Sequence, residues 1–198
     1  NVNGTLVFAG DGELAGTTTR LAMIKAGANG TTVNLAGQHI VTELQGTDTG
    51  TLALADGFKL TGDINSNGGA ATVLKFAGNG EVTGTIGTNV AVGDIEINGD
   101  NTTTVKLGGN IKAAKIVFGN VGLLTLGGGV GEGNIDFRGN AATVNIDSGG
   151  AATTIATKFL QVDDNNATLN VKTSLISTND DADSTALAVK NINIGIAS

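Results

Sequence analysis

The residues of this chain that could do chemistry are few, and most of them are acidic. Two clusters combine carboxylate and amide oxygens, the ligand type that hard cations such as Ca²⁺ prefer. They are Asp163, Asp164, Asn165 and Asn166, and then Asp180, Asp181 and Asp183. We interpret both clusters as solvated loops that protrude from the fold, and we keep calcium binding as the alternative.

A pair of carboxylates could also serve glycosidic cleavage, which needs one acid and one base or nucleophile on either side of the bond. Asp136 and Asp147, which are 11 residues apart, could form such a pair if they stacked on successive rungs of a repeat. Sugar-cleaving clefts usually carry Trp or Tyr platforms, and this sequence contains neither. Lysine and arginine are scattered singly, which disfavours lyase chemistry. A polysaccharide-active lyase or hydrolase is therefore the alternative function and not the leading one.

The other candidate groups are weaker. His39 is the single histidine, and no serine stands in a nucleophile motif beside it, so we expect a surface or turn histidine. The chain has no cysteine, which excludes disulfides, thiol nucleophiles and cysteine-ligated metals.

Three further segments resemble binding motifs without completing them. Gly10–Ala15 fits a dinucleotide fingerprint, but Gly and Thr follow where a helix is required, so we predict a tight turn. Gly127–Asn134 is rich in glycine but lacks the aspartate that would bind calcium. Asp94–Gly99 begins like a calcium loop, yet Val105 stands where a glutamate is needed, so we predict a strand. We therefore predict no catalytic, cofactor-binding or metal-binding residues and no cofactor.

Composition restricts the function further. The 198 residues carry a net charge of −7, and six phenylalanines are the only aromatic residues apart from His39. Nucleic-acid surfaces need clustered Lys and Arg or stacking platforms, so we expect no nucleic-acid partner. No apolar run approaches the roughly 20 residues that cross a bilayer.

Period-two alternation recurs along the chain and predicts an all-β protein, because alternate residues of a strand point to one face. Helical periodicity is nearly absent, and its best stretch, residues 20–26, is short. The first inward apolar residues of the predicted strands are Leu6, Val33, Leu52, Leu74, Ile95, Val105, Ile116, Leu124, Ile135, Val144, Leu169 and Leu187.

The steps between these residues lie near 20 or near half of 20, which indicates a coil of about 20 residues with two or more strands. We predict a parallel β-helix of eight or nine rungs that forms a single segment over residues 1–198, with an antiparallel β-sandwich as the alternative. Five Asn-Gly pairs supply turn signals, and the absence of proline suits uninterrupted strand ladders. Because the pattern is already running at both ends, we expect a fragment of a longer protein whose exposed coil ends could self-associate.

The segment TVLKFAGNGEVTGTIGTN at residues 72–89 resembles the passenger-associated transport repeat of bacterial type V autotransporters. Its cadence is Phe76, Gly78, Gly80, Val82 and Gly84. Residues 5–17, 51–65 and 104–120 look like diverged copies. Among autotransporters the wording is most similar to the rickettsial surface cell antigens.

This resemblance implies a right-handed parallel β-helix passenger, exported to the bacterial cell surface and linked to a C-terminal outer-membrane barrel that lies outside this sequence. It also implies adhesion to a host cell-surface protein and host-cell invasion, with some members forming a surface layer. The leading function is accordingly a non-enzymatic structural stalk and adhesin. No residue of the chain can be assigned a family role, because such adhesins lack a short binding motif.

Overall fold

The computed structural model describes residues 4–26, 29–47, 49–69, 71–138, 140–147, 153–155, 158–160, 167–172, 175–177 and 191–194. Every element in these ranges is a β-strand. The first nine are β1 (Thr5–Phe8), β2 (Gly12–Ala26), β3 (Thr32–Thr47), β4 (Thr51–Leu54), β5 (Phe58–Asn67), β6 (Val73–Phe76), β7 (Gly80–Val82), β8 (Val92–Ile97) and β9 (Thr104–Leu107). The other nine are β10 (Ile111–Phe118), β11 (Leu123–Leu126), β12 (Val130–Asp136), β13 (Thr143–Ile146), β14 (Thr153–Ile155), β15 (Lys158–Leu160), β16 (Thr168–Val171), β17 (Leu175–Ser177) and β18 (Asn191–Ile194).

The strands pair in parallel along three columns, as in a β-solenoid. Column A contains residues 12–16, 32–37, 51–54, 73–76, 94–97, 115–118, 134–136 and 158–160. Column B contains residues 19–21, 38–41, 58–61, 80–82, 104–107, 123–126, 143–146, 168–171 and 191–194. Column C contains residues 5–8, 23–26, 43–47, 63–67, 86, 111–113, 130–132, 153–155 and 175–177.

The coil length confirms the predicted period. In column A, Val33 pairs with Leu52 and Leu52 pairs with Leu74, so each coil takes up about 20 residues, as in other solenoid repeats. Column A contains eight of the described segments and column B nine, in keeping with the eight or nine rungs predicted. The parallel pairing excludes the sandwich alternative, because the sheets of a sandwich are antiparallel.

The shorter steps, near half a coil, have a simple cause: they lead alternately from column A to column B and from column B to column A of the next coil. Ile95 lies in column A and Val105 in column B, and both side chains are fully buried. Column C was not anticipated as a separate column. After its first strand, which a predicted run of alternation does mark, it contributes about one large aliphatic residue per coil, such as Leu44 or Ile64, among small and polar neighbours.

The core runs down the axis of the solenoid and consists of aliphatic ladders with four buried phenylalanines. Of the predicted inward positions that the structure describes, all but Leu6 are buried. Leu6 belongs to the first strand, and its neighbour Val7 is 53% exposed. The stretch with the most helical pattern, residues 20–26, lies in β2. The described residues contain no helix that could span a membrane.

Candidate functional surface

The glycines of the repeat cadence make room for close packing between and within coils. A Cβ on Gly80 would lie 2.5 Å from the ring of Phe76, four residues earlier. The diverged copy at the start of the chain shows the same relation, since a Cβ on Gly12 would lie 2.2 Å from the ring of Phe8. The phenylalanine that ends one strand thus packs over the glycine that opens the next.

Gly84, the last glycine of the cadence, lies against the backbone of the neighbouring coil. A Cβ on Gly84 would lie 2.1 Å from the carbonyl oxygen of Gly62 in the coil before it. Val82, between Gly80 and Gly84, is fully buried and stacks on Leu60 in column B. The motif therefore describes one strand end, one tight corner and one buried strand, and its positions are structural.

The corner between columns A and B carries a chain of side-chain to backbone hydrogen bonds that joins successive coils. Asp56 Oδ1 accepts from the backbone N–H of Asn79 at 2.7 Å and from its side-chain amide at 3.0 Å. Asn79 Oδ1 in turn accepts from the backbone N–H of Thr104 at 2.9 Å. Each polar side chain thereby satisfies a turn N–H of the coil above it, which is why Asp and Asn suit these corners.

A charged ladder follows on the outer face of column B. Glu81 lies between two lysines, with Lys59 Nζ 4.0 Å from Oε2 and Lys106 Nζ 3.5 Å from Oε1. The backbone register stacks all three residues. Their separations along the chain, 22 and 25 residues, are the lengths of two unequal coils, so aligning charges at one uniform period would not have found the whole ladder.

We expect Glu81→Gln to leave the fold almost unchanged, with a loss of less than about 1 kcal/mol, because exposed ion pairs are weak in high dielectric. The loss should shrink further when salt screens the pairs. Thermal unfolding of both proteins at low and high salt measures it. A large loss that persists at high salt would show that Glu81 has a packing role instead.

The outer face of column A carries further opposite-charge pairs between neighbouring coils. Lys75 Nζ lies 3.7 Å from Glu96 Oε2, and Lys115 Nζ lies 3.3 Å from Asp94 Oδ2. Glu96 also accepts from the side-chain amide of Asn98 at 3.0 Å. Both outer faces are thus mixed in charge and solvated, and the described residues offer no face of one sign.

Two open cavities lie at the corner between columns A and B. One, of about 270 Å³, is lined by Phe58, Lys59, Glu81 and Lys106 among others. The other, of about 470 Å³, is lined by Asp56 and Asp100 among others. The side-chain hydroxyl and backbone N–H of Thr102 donate to Asp100 and hold the pKa of that carboxyl below its usual value. Both aspartates are therefore engaged in turn formation.

The proposed carboxylate pair does not form. Asp136 lies in column A and accepts from the backbone N–H of Arg138, while Asp147 follows the column B strand β13 of the same coil. Asp147 Oδ2 lies 3.4 Å from Lys172 Nζ in the next coil. The spacing between the two aspartates is about half a coil, so it moves a residue to another column and does not stack it on the next rung.

The other sequence motifs have these outcomes. Gly10–Ala15 forms a turn followed by strand β2, and Asp94–Gly99 begins within strand β8, both as predicted. Gly127–Asn134 runs into strand β12. The acidic clusters at 163–166 and 180–183 lie outside the described residues, as does Leu187. Within the described ranges, no three His, Cys, Asp or Glu side chains come together as a metal site.

The expectation for His39 is wrong. His39 lies in the middle of strand β3, and its side chain is only 1% exposed. Its ring contacts Phe58, with the ring centroids 5.7 Å apart. The sequence did carry a signal for this burial, because the inward alternation of Val33 and Leu35 continues through His39 to Val41.

Comparison with known proteins gives matches over part of the chain. One is 44% identical over 86 residues and is Outer membrane protein A of Rickettsia conorii. Another, 43% identical over 86 residues, is Outer membrane protein A of Rickettsia rickettsii. This chain resembles a rickettsial surface antigen.

The likeness to Outer membrane protein A covers 43% of the chain and about 4% of the length of each curated relative. It confirms the predicted resemblance to the rickettsial surface cell antigens. No family model matches the chain, so the likeness to the transport repeat stays a prediction. No solved structure matches it.

Proposed function

We propose that this chain is a surface-exposed passenger segment of an exported rickettsial protein and that it acts as a non-enzymatic stalk and adhesin in host-cell attachment. The observation that carries the proposal is the 44% identity to Outer membrane protein A in a chain that folds as a parallel β-solenoid. The name of these relatives supports a location at the outer membrane or cell surface. The partner is a host cell-surface protein.

The solenoid suits a stalk for a physical reason. Each coil adds about 4.8 Å to the axis, so eight or nine stacked segments extend the chain by roughly 40 Å. Every coil covers the apolar face of its neighbour, so length can grow without a larger core. Function can then reside in the outer faces while the interior stays uniform.

The outer faces suit protein contact better than catalysis. The charged ladder Lys59–Glu81–Lys106 and the pairs Lys75–Glu96 and Asp94–Lys115 form rows of alternating sign at coil spacing. Complementary charge on a partner favours correct docking and faster association. Of the two open cavities, the larger is lined by turn residues and the smaller lies along the column B ladder.

The test is binding of the purified chain to host cells. We expect saturable binding, competition with intact bacteria, and loss of binding when the host cells are first treated with trypsin. Binding that survives trypsin, or no binding at all, would contradict the adhesin. The stalk would remain in either case, because it depends on the fold.

Two matched variants can locate the contact. One removes the column B ladder (Lys59, Glu81 and Lys106 to alanine), and the other removes the column A pair (Lys75 and Glu96 to alanine). Both sets lie on exposed or half-buried positions, so both variants should fold as judged by circular dichroism. Reduced binding in one variant and not the other assigns the contact to that face.

A reducing-sugar assay on acidic glycans tests the enzymatic alternative, and we expect no product.

A further inference from the structure

His39 occupies a core position that the following coils give to aliphatic residues. It lies in column B with its side chain on the inner face, in register with Leu60 of the next coil. From Leu60 the ladder of inward side chains continues from coil to coil along the axis. Its next members, all buried, are Val82, Leu107, Leu126, Ile146 and Val171. A titratable ring thus replaces an aliphatic side chain near one end of a continuous apolar column.

The ring has no well-formed hydrogen bond there. Both Nδ1 and Nε2 of His39 are buried without a hydrogen-bond partner, and the ring of Phe58 lies beside it, tilted by 40°. An unsatisfied buried polar group destabilises the folded state, and a charged one does so far more strongly. The site therefore favours a neutral imidazole over an imidazolium.

Among the described residues, no ionisable side chain is placed to compensate that charge. The strands beside the ring are β2 and β5, and β3 itself continues into column C. Their ionisable side chains are Glu13, Arg20, Lys25, Glu43, Lys59 and Asp63, and none of them is buried. Register places Arg20 beside Ile40, and Lys59 beside Gln38, on the outer face of column B. Glu43 and Asp63 are neighbours in the backbone register, on the outer face of column C.

The backbone around His39 is interrupted on both sides. Gly37 adopts φ +91°, a conformation that side-chain-bearing residues rarely take. The pairing of β2 with β3 slips between Gly16 and Thr19, and that of β3 with β5 slips between Ile40 and Glu43. A segment bounded by ladder irregularities can open without the whole solenoid.

We propose that His39 is an acid-sensitive switch: its protonation opens the coil formed by β3 and frees the apolar interior at that end of the solenoid. Opening brings water to the imidazole and thereby accommodates its charge. The coils beyond β7 have aliphatic residues at the equivalent position and stay closed. The inference is independent of the adhesive role.

The pH dependence follows from the pKa of the ring. Burial lowers the pKa of His39 from its ordinary 6.5, and the backbone carbonyl of Ala36 opposes that shift only in part. Above pH 6.5 the ring is neutral in the closed and opened states alike, so its titration favours neither. Below 6.5 the opened state takes up a proton that the closed state resists, so opening becomes more favourable until the pH falls below the lowered pKa.

Hydrogen exchange with mass spectrometry tests the switch. At about pH 5 the opened population should rise roughly tenfold relative to about pH 7.5, with about 30-fold as the upper limit for a group of unperturbed pKa about 6.5. The protection factors, corrected for intrinsic exchange, should fall by that factor in peptides covering residues 32–47. Peptides covering residues 104–126 should keep theirs and serve as the internal control.

The matched variant is His39→Leu, which restores the aliphatic ladder. It should abolish the acid-induced loss of protection at 32–47 while leaving the carboxylates to titrate as before. Equal loss in this variant, or no loss in the wild-type protein, overturns the switch.

A measurement on the wild-type protein alone adds a second check: His39 is the single histidine, so its NMR titration is unambiguous. A pKa at or above the ordinary value of 6.5 overturns the proposal, and a lower value supports it.

Discussion

Gly84→Ala should destabilise the solenoid by about 3 kcal/mol, at the upper end of what overpacking costs. The added Cβ would lie 2.1 Å from the carbonyl oxygen of Gly62 and 2.4 Å from its carbon. Both atoms are backbone, so the clash can be relieved only by moving one coil away from the other. That movement would strain the parallel bonds on either side, including the one from the Thr83 N–H to the Leu60 carbonyl.

The control for this variant is Gly10→Ala. A Cβ on Gly10 would meet nothing within 4 Å, and its backbone is not in the positive-φ region. We expect a change within about 0.5 kcal/mol, as for other surface substitutions. Urea unfolding followed by far-UV circular dichroism compares the two. Similar midpoints for both variants would mean that the coils can separate at Gly62 without loss.

Phe118→Ala should destabilise the protein by about 3–5 kcal/mol, since it removes a large side chain from a core that cannot fully collapse. The Phe118 ring is completely buried and stacks on Phe137 of the next coil, with centroids 5.4 Å apart and planes within 4°. Truncation would leave a cavity on the solenoid axis and remove that contact. Because coils are stabilised by their neighbours, unfolding should become less cooperative.

Val7→Ala provides the comparison, because Val7 is also apolar but is 53% exposed. We expect it to change stability by less than about 0.5 kcal/mol. Thermal unfolding measures both, and near-UV signals of phenylalanine report on the core. A loss below about 1 kcal/mol for Phe118→Ala would indicate that the coils repack around the cavity.

The candidate surface was harder to derive than the fold. Glu81 meets Lys59 and Lys106 because the lengths of the two coils between them stack these side chains. Coil length is not constant, since the step from Glu81 to Lys106 is longer than the step from Val33 to Leu52. A uniform period therefore misplaces outer residues. Asp136 and Asp147 were misplaced for a different reason, since their spacing is about half a coil and puts them in different columns. Inward residues tolerate such variation, because the core needs only an apolar side chain at each position.

The inward orientation of His39 cannot be predicted from its immediate neighbours. Its local sequence, Gln-His-Ile-Val, fits either face of a strand, and a shift of one residue reverses which side chains point inward. These four residues alone leave the face of His39 open, whereas the longer alternation of Val33, Leu35 and Val41 places it inward.

The alternation of apolar residues, the coil-length repeat and the supply of Gly and Asn were enough to predict a parallel β-solenoid, and the motif at residues 72–89 was enough to predict the resemblance to rickettsial surface antigens. Both are local or periodic properties, which a linear chain displays directly. Only the tertiary structure decided that there are three columns and which charges stack on the outer faces. Those features depend on the length of each turn and on bulges, whose effects accumulate through space from coil to coil.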